Sequence, residues 1–450
     1  MRFDLMWVWW VIMVGICAWK LIEGFVRPRR MLEWPFLASA MWAYFYGYMA
    51  FDAKMLLSAY LPGNMAAIGQ LMALLCLIAV LLGWQLAMQG KITDRSVSRT
   101  YPLFWIGMIG IFFVLIGAVG GYSVMRAAQT GTLVYQDASA YWYLLFYVGY
   151  PGMAMAIWCI CRMKSPARKY LIVVTIFSIA AFMFPHVLTA RRGPLFPAIM
   201  VLLLVPPLTR RKAPNPWIFF GCLALAGVVM LIFLQIRDVT YKGGTWAQAL
   251  ETVDVASAVT DRGEQAEDNE YVNSCQVIGT IYQNGKYQYG TGHLGLLFHW
   301  VPRSIWKDKP MLGEGSYSFD EMFDDIESAT GFHLLGTGAA DGGVADTFIQ
   351  YGVLCPLFWF GLSWLIGRVY VRAQSGNNPA WLFCYVGFIC ASHWLVSQSF
   401  SAAFVPGMFF QAVPFVVFLL LNSSSRPARV PVKRRAPPRL TPATQPAPTP

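Results

Sequence analysis

At 450 residues the chain could bury a large soluble core, yet 57% of it is apolar and only 13% is charged, where soluble domains carry about 25% charged residues. That deficit excludes an ordinary water-soluble enzyme, because long stretches have no charge to hydrate their surface. The net charge of +11 does not point to nucleic acid, since Lys and Arg fall in short clusters between apolar segments.

Apolar segments long enough to cross about 30 Å of hydrocarbon as helices recur at 5–26, 34–51, 65–88, 101–120, 141–161, 170–189, 194–209, 216–236, 346–367, 380–398 and 402–421. The first is a retained helix rather than a cleaved signal. It is Trp-rich, lacks a small-residue cleavage site and runs into Arg27, Arg29 and Arg30. The seventh holds Pro194, Pro197, Pro206 and Pro207, so its backbone must be broken or shielded by neighbouring helices. With eleven spans, an outside N-terminus and a cytoplasmic C-terminus, 21 of the 34 Lys and Arg residues fall inside, as the positive-inside rule requires. The fold expected is therefore an all-α polytopic membrane protein of about eleven transmembrane helices with a large outer-face loop domain. Residues 1–236 form a membrane domain of eight helices, 237–345 the outer loop, 346–421 three further helices and 422–450 a disordered, basic, Pro-rich cytoplasmic tail.

The outer loop carries sixteen Asp and Glu against seven Lys and Arg. Its first half, especially Asp261–Glu270, reads as solvated. Its second half interleaves aromatic, Gly and Pro residues and is expected to fold against the membrane domain. Eight of the nine cysteines lie in or beside apolar segments, and Cys275 stands alone in the loop, so neither a loop disulfide nor a zinc motif is expected.

Candidate chemistry begins with positive charge that topology does not demand. Arg191 and Arg192, in TARRGPLF, sit on the outer face between two spans. They could snorkel to headgroups, or clamp a phosphate or diphosphate with forked guanidinium donors. Arg237, at the exit of the eighth span, is a further anion-binding candidate, although Asp238 could pair with it. In HWVPRSIWKDKP, His299, Arg303, Lys307 and Lys309 reverse the sign of an acidic loop. This is either an interfacial aromatic belt or a rigid turn placing Arg303 and Lys309 over the same anion as Arg192. Glu314, His333, His393 and His186 are candidate general bases, since His or Glu can take a proton from an acceptor hydroxyl near neutral pH. The glycine-rich segment 331–343 lacks the GK[ST] ending of a phosphate loop, and no HExxH or GxSxG motif is present.

RRG at 191–193, PRSIWKDKP at 302–310 and the late outer loop resemble the O-antigen polymerase and oligosaccharide repeat-unit polymerase families of bacterial surface polysaccharide assembly. The resemblance spans most of residues 30–420. It implies a GT-C-like membrane glycosyltransferase of the bacterial inner membrane that joins undecaprenyl-diphosphate-linked repeat units, with carrier-linked glycan as both donor and acceptor. It assigns Arg191, Arg192, Arg303 and Lys309 to the diphosphate. Arg192, Arg303, His333 and Glu314 become the candidates for the chemistry, His333 by analogy of position with the outer-loop histidine of O-antigen ligases. It implies no cofactor, no metal and no nucleic acid. The partners expected are membrane lipid, a flippase and a chain-length regulator. An O-antigen ligase, another lipid-linked-sugar glycosyltransferase, a lipid-linked glycan transporter and a scaffold stay open as alternatives, although no internal repeat favours a transporter.

Overall fold

A computed structural model of the chain describes residues 3–53, 61–62, 64–89, 101–130, 145–189, 193–241, 248–249, 251, 269–298, 301, 305–306, 316, 318–331, 342–375 and 379–424. Among these every regular element is helical and no strand occurs, and six helices are long and apolar enough to cross a membrane. The chain is thus an all-α membrane protein in its described part.

The first helix, α1 (Phe3–Val26), leads through a 3-10 turn (Pro28–Leu32) into α2 (Trp34–Trp42). The expected single span at 34–51 is instead α2, a π-turn over Ala43–Tyr48 and a short α3 (Met49–Asp52). A π-turn disturbs the regular carbonyl ladder, and the Trp10 indole N–H donates to Gly47 O at 2.9 Å. Helices α4 (Met65–Gln89), α5 (Leu103–Thr130), α6 (Gly149–Arg162) and α7 (Ala167–Leu188) follow. Within lipid, helices gain most from close backbone approach through small residues. The α5–α6 pair shows it, since a Cβ on Gly110 would stand 2.7 Å from Gly152 O.

The proline-rich seventh segment is one helix, α8 (Leu195–Arg210), with Pro206 and Pro207 in its last turns. It packs against α6 and, further along the chain, the helix at Pro379–Ser397. Of the two expected solutions, shielding by neighbours is the one found. After α8 comes α9 (Pro216–Tyr241).

The large loop departs from its reading in its first half. Glu270–Asn284 forms α10, buried over nearly its whole length against α4. Its start is fixed by the Asn269 side chain, which accepts from Tyr271 N at 3.0 Å and Val272 N at 3.3 Å and donates to Met49 O at 3.2 Å. The first half of the loop was expected to be solvated, yet in this helix even the polar Asn273, Ser274, Gln276 and Thr280 are buried. Cys275 faces Gly69 there, and burial pushes its thiol up to about 12. Residues 261–268 lie outside the described residues.

A short helix α11 (Thr291–Gly295) precedes α12 (Phe319–Thr330). The Lys286 ammonium ties α12 down by donating to Asp325 at 2.7 Å and Glu321 at 2.9 Å. These bonds, Asp325 first, hold its pKa above the ordinary lysine value. The tie therefore persists through neutral pH and is lost only as pH rises through that raised value. Lys286→Glu should accordingly open α12 to limited proteolysis while the melting of the membrane helices in detergent stays unchanged. Equal protease resistance in both proteins would show that packing alone holds α12.

Beyond it, α13 (Gly343–Tyr351) and α14 (Cys355–Ser375) lie in one apolar stretch, and α15 (Pro379–Ser397) and α16 (Phe400–Ser424) complete the described chain. The α4–α14 seam is tight. Ser363 Oγ donates to Val80 O at 2.6 Å, and Cys76 and Cys355 bring their sulfurs to 3.6 Å.

Candidate functional site

The chain between α10 and α11 is laid along the end of α13 by two backbone bonds. Gln288 N–H donates to Ile349 O at 2.9 Å and Gly290 N–H to Gln350 O at 3.0 Å. Gly290 is required there twice over. Its φ is +82°, and a Cβ would come within 3.3 Å of the Tyr351 ring. The Gln350 side-chain oxygen then accepts from Gly292 N at 3.2 Å and His293 N at 3.4 Å, satisfying first-turn amides of α11. Its amide nitrogen is held in turn by Gln288 Oε1.

With its backbone fixed in this way, the His293 ring points at α13. Nε2 lies 3.2 Å from Asp346 Oδ2, and Nδ1 lies 3.0 Å from the Tyr351 hydroxyl. The same Asp346 oxygen accepts from Phe400 N–H, at the start of α16, at 2.8 Å. Phe400 and Phe358 stand 4.7 and 5.4 Å from the imidazole, ring centre to ring centre. Both His293 and Asp346 are buried. One loop helix and two membrane-domain helices therefore converge on a single polar group.

The hydrogen-bond network assigns the tautomer. A carboxylate accepts only, so Nε2 carries the imidazole proton toward Asp346. Nδ1 is then a lone pair, and the Tyr351 O–H donates to it. The ordered chain Tyr351→His293→Asp346 can take a proton at the phenol oxygen as the phenol passes its own to Nδ1. Asp346 would stabilise the imidazolium so formed, and the neighbouring rings exclude water that would screen it.

Sequence reasoning missed this group. His293 sits in TGHLGLL, with no charged neighbour to draw notice, and Asp346 opens the ninth span. A carboxylate within an apolar span was the available signal, because such groups seek a partner and lean toward function.

The residues that reasoning did select fall elsewhere. His186 is buried in the last turn of α7, its ring 4.3 Å from that of Phe146. His393 is half-buried in α15, 4.9 Å from Phe196 by the same measure. The structure thus sets both histidines in aromatic surroundings. Arg237 lies within α9. Arg191, Arg192, His299, Arg303, Lys307, Lys309, Glu314 and His333 lie outside the described residues. Among the described residues no three His, Cys, Asp or Glu side chains converge as a metal site. Compared with family models, with curated proteins and with solved structures, the chain matches none.

Proposed function

We propose that this chain is a membrane glycosyltransferase that polymerises undecaprenyl-diphosphate-linked oligosaccharide repeat units on the outer face of the bacterial inner membrane. The observation that carries the reading is the Tyr351–His293–Asp346 chain, with a half-buried phenol and a buried His–Asp pair, where a loop helix meets the end of an apolar helix stretch. Lipid-linked transfer needs a proton acceptor at that boundary and needs no nucleotide.

In the step proposed, an acceptor hydroxyl attacks the anomeric carbon of the donor sugar. The new C–O bond forms as the bond to the diphosphate breaks, and the carrier diphosphate leaves with the electron pair. The hydroxyl proton passes to the Tyr351–His293 relay. Arg191, Arg192, Arg303 and Lys309 would hold the leaving diphosphate, where fixed cations count most in a site that excludes water. Arg237 could add to that field. The GT-C-like arrangement, the eleven spans with N-terminus outside, and work beside a flippase and a chain-length regulator belong to the same proposal. His293 replaces His333 and Glu314 as the preferred proton acceptor, because its geometry is compatible with the role.

Lipid-linked glycans from a strain lacking the protein test the reading. Single repeat units on the carrier, restored to polymer by the wild-type chain, are the expected result. Full-length polymer that stays on the carrier would instead assign a ligase, and repeat units trapped on the cytoplasmic face a transporter. Arg192→Ala and Arg303→Ala should each lower polymer formation by about a hundredfold with the protein still in the membrane. Unchanged polymer length in both variants would overturn the diphosphate site.

A further inference from the structure

The loop segment that carries His293 has an apolar outward face. In α11 and the 3-10 turn Leu296–Phe298 that continues it, His293 and Leu296 turn inward and are buried. Leu294, Leu297 and Phe298 turn outward, with 60%, 62% and 55% of their surface exposed. Three large apolar side chains held in water on one short turn forgo about 1.5–3 kcal/mol each relative to burial.

What covers them follows from the neighbouring helix. Across the site, Val353 and Leu354, in the 3-10 turn Gly352–Leu354, and Leu357 in the first turn of α14 are exposed, and Trp364 and Leu365 continue the exposed strip about two turns further along. That strip belongs to the apolar stretch Gly343–Gln374, long and apolar enough to cross a membrane, so its exposed side faces hydrocarbon. The two segments meet at the site itself, where the inward-facing His293 ring packs on Tyr351 and Phe358. The sequence is compatible with that. Between Lys286 and Arg303 there are sixteen residues without a single Lys, Arg, Asp or Glu, within the carboxylate-free stretch that runs from Glu270 to Asp308.

We propose that residues 291–298 are seated in the lipid of the membrane leaflet facing the loop, as a short interfacial anchor with its outward face among the acyl chains. The partner is the bilayer itself. The anchor fixes His293 at the boundary between headgroups and hydrocarbon, so the relay meets groups carried by lipids rather than solutes arriving from water. That last consequence rests on the function proposed above; the seating does not.

Photocrosslinking tests it with the full chain in nanodiscs of phosphatidylethanolamine and phosphatidylglycerol. p-Benzoylphenylalanine is placed at Phe298 and, as the reference in water, at Asp320, which is exposed on α12. Mass spectrometry after irradiation should find at least about tenfold more phospholipid adduct at 298 than at 320. Equal yields would overturn the proposal, as would adducts at 298 made only to protein. If the 298 variant does not accumulate, the same probe at Leu294 carries the same expectation. The readout is independent of glycan synthesis. Lipid adducts with normal glycan in the deletion strain would sink the enzyme reading alone, and polymerase activity without adducts would sink the anchor alone.

Discussion

Polymer formation should fall about a thousandfold in His293→Ala, within the range that a positioned proton acceptor contributes, while the protein remains folded in the membrane. Single-turnover assays with purified lipid-linked repeat units would measure it. Losing the ring also strips Asp346 of the imidazole donor, leaving it among the described residues the Phe400 N–H at 2.8 Å, so some destabilisation is expected as well. An under-satisfied buried acceptor costs about 1–3 kcal/mol, and a lower melting temperature alone would not separate chemistry from architecture. Tyr351→Phe does separate them. It removes one hydroxyl bonded to Nδ1 and keeps the ring that stacks on Phe358. If the group acts as a relay, this variant should lose about a hundredfold in rate with an unchanged melting temperature. Wild-type turnover in Tyr351→Phe would reduce the His293–Asp346 pair to a structural tie between α11, α13 and α16.

The helices were legible because the bilayer permits few other solutions. Uninterrupted apolar length is a local property, readable without knowing what packs on what, and it locates α4, α5 and α7 closely. The π-turn at Ala43–Tyr48 was not legible, since apolar length does not report it and the indole that bonds its Gly47 carbonyl, Trp10, is 37 residues away. The same limit hid the buried helix α10. Its polar Asn273 and Thr280 are buried in a helix that packs on α4, a contact that leaves no local pattern. The site was half legible. Sequence pointed to the late outer loop and to histidine chemistry, but chose His333 by its position in the loop and His186 and His393 by their place near span ends. His293 has no such marker. Its carboxylate lies 53 residues away and reaches it because Gln288, Gly290 and Gln350 dock the loop on α13. A pairing made by tertiary docking leaves no local pattern, whereas the arginine and lysine clusters are local patterns by nature.

Docking of α13 is also where the fold tolerates least change, and Gly343→Ala should show it. A Cβ at this position would stand 1.7 Å from the carbonyl oxygen of Leu395 and 2.9 Å from its carbon, with the Trp359 ring at 3.2 Å. The obstruction is backbone of α15 and cannot rotate aside, so α13 or α15 must shift. Overpacking of this kind costs about 3 kcal/mol. The shift would also pull on Thr347, which donates to Gly343 O at 2.9 Å and accepts from the Trp359 indole at 3.0 Å. Asp346 is its neighbour, so the relay would be displaced along with the helix. Expected results are a much lower apparent melting temperature in detergent and loss of polymer formation even in the protein that survives. Gly361→Ala supplies the opposite sign. It lies within α14 with nothing inside 4 Å of its added carbon, and Ala there should hold or raise stability by about 0.5–1 kcal/mol through helix propensity. If Gly343→Ala melted with Gly361→Ala, the close approach of α13 to α15 would be refuted, and with it the geometry that aims Asp346 at His293.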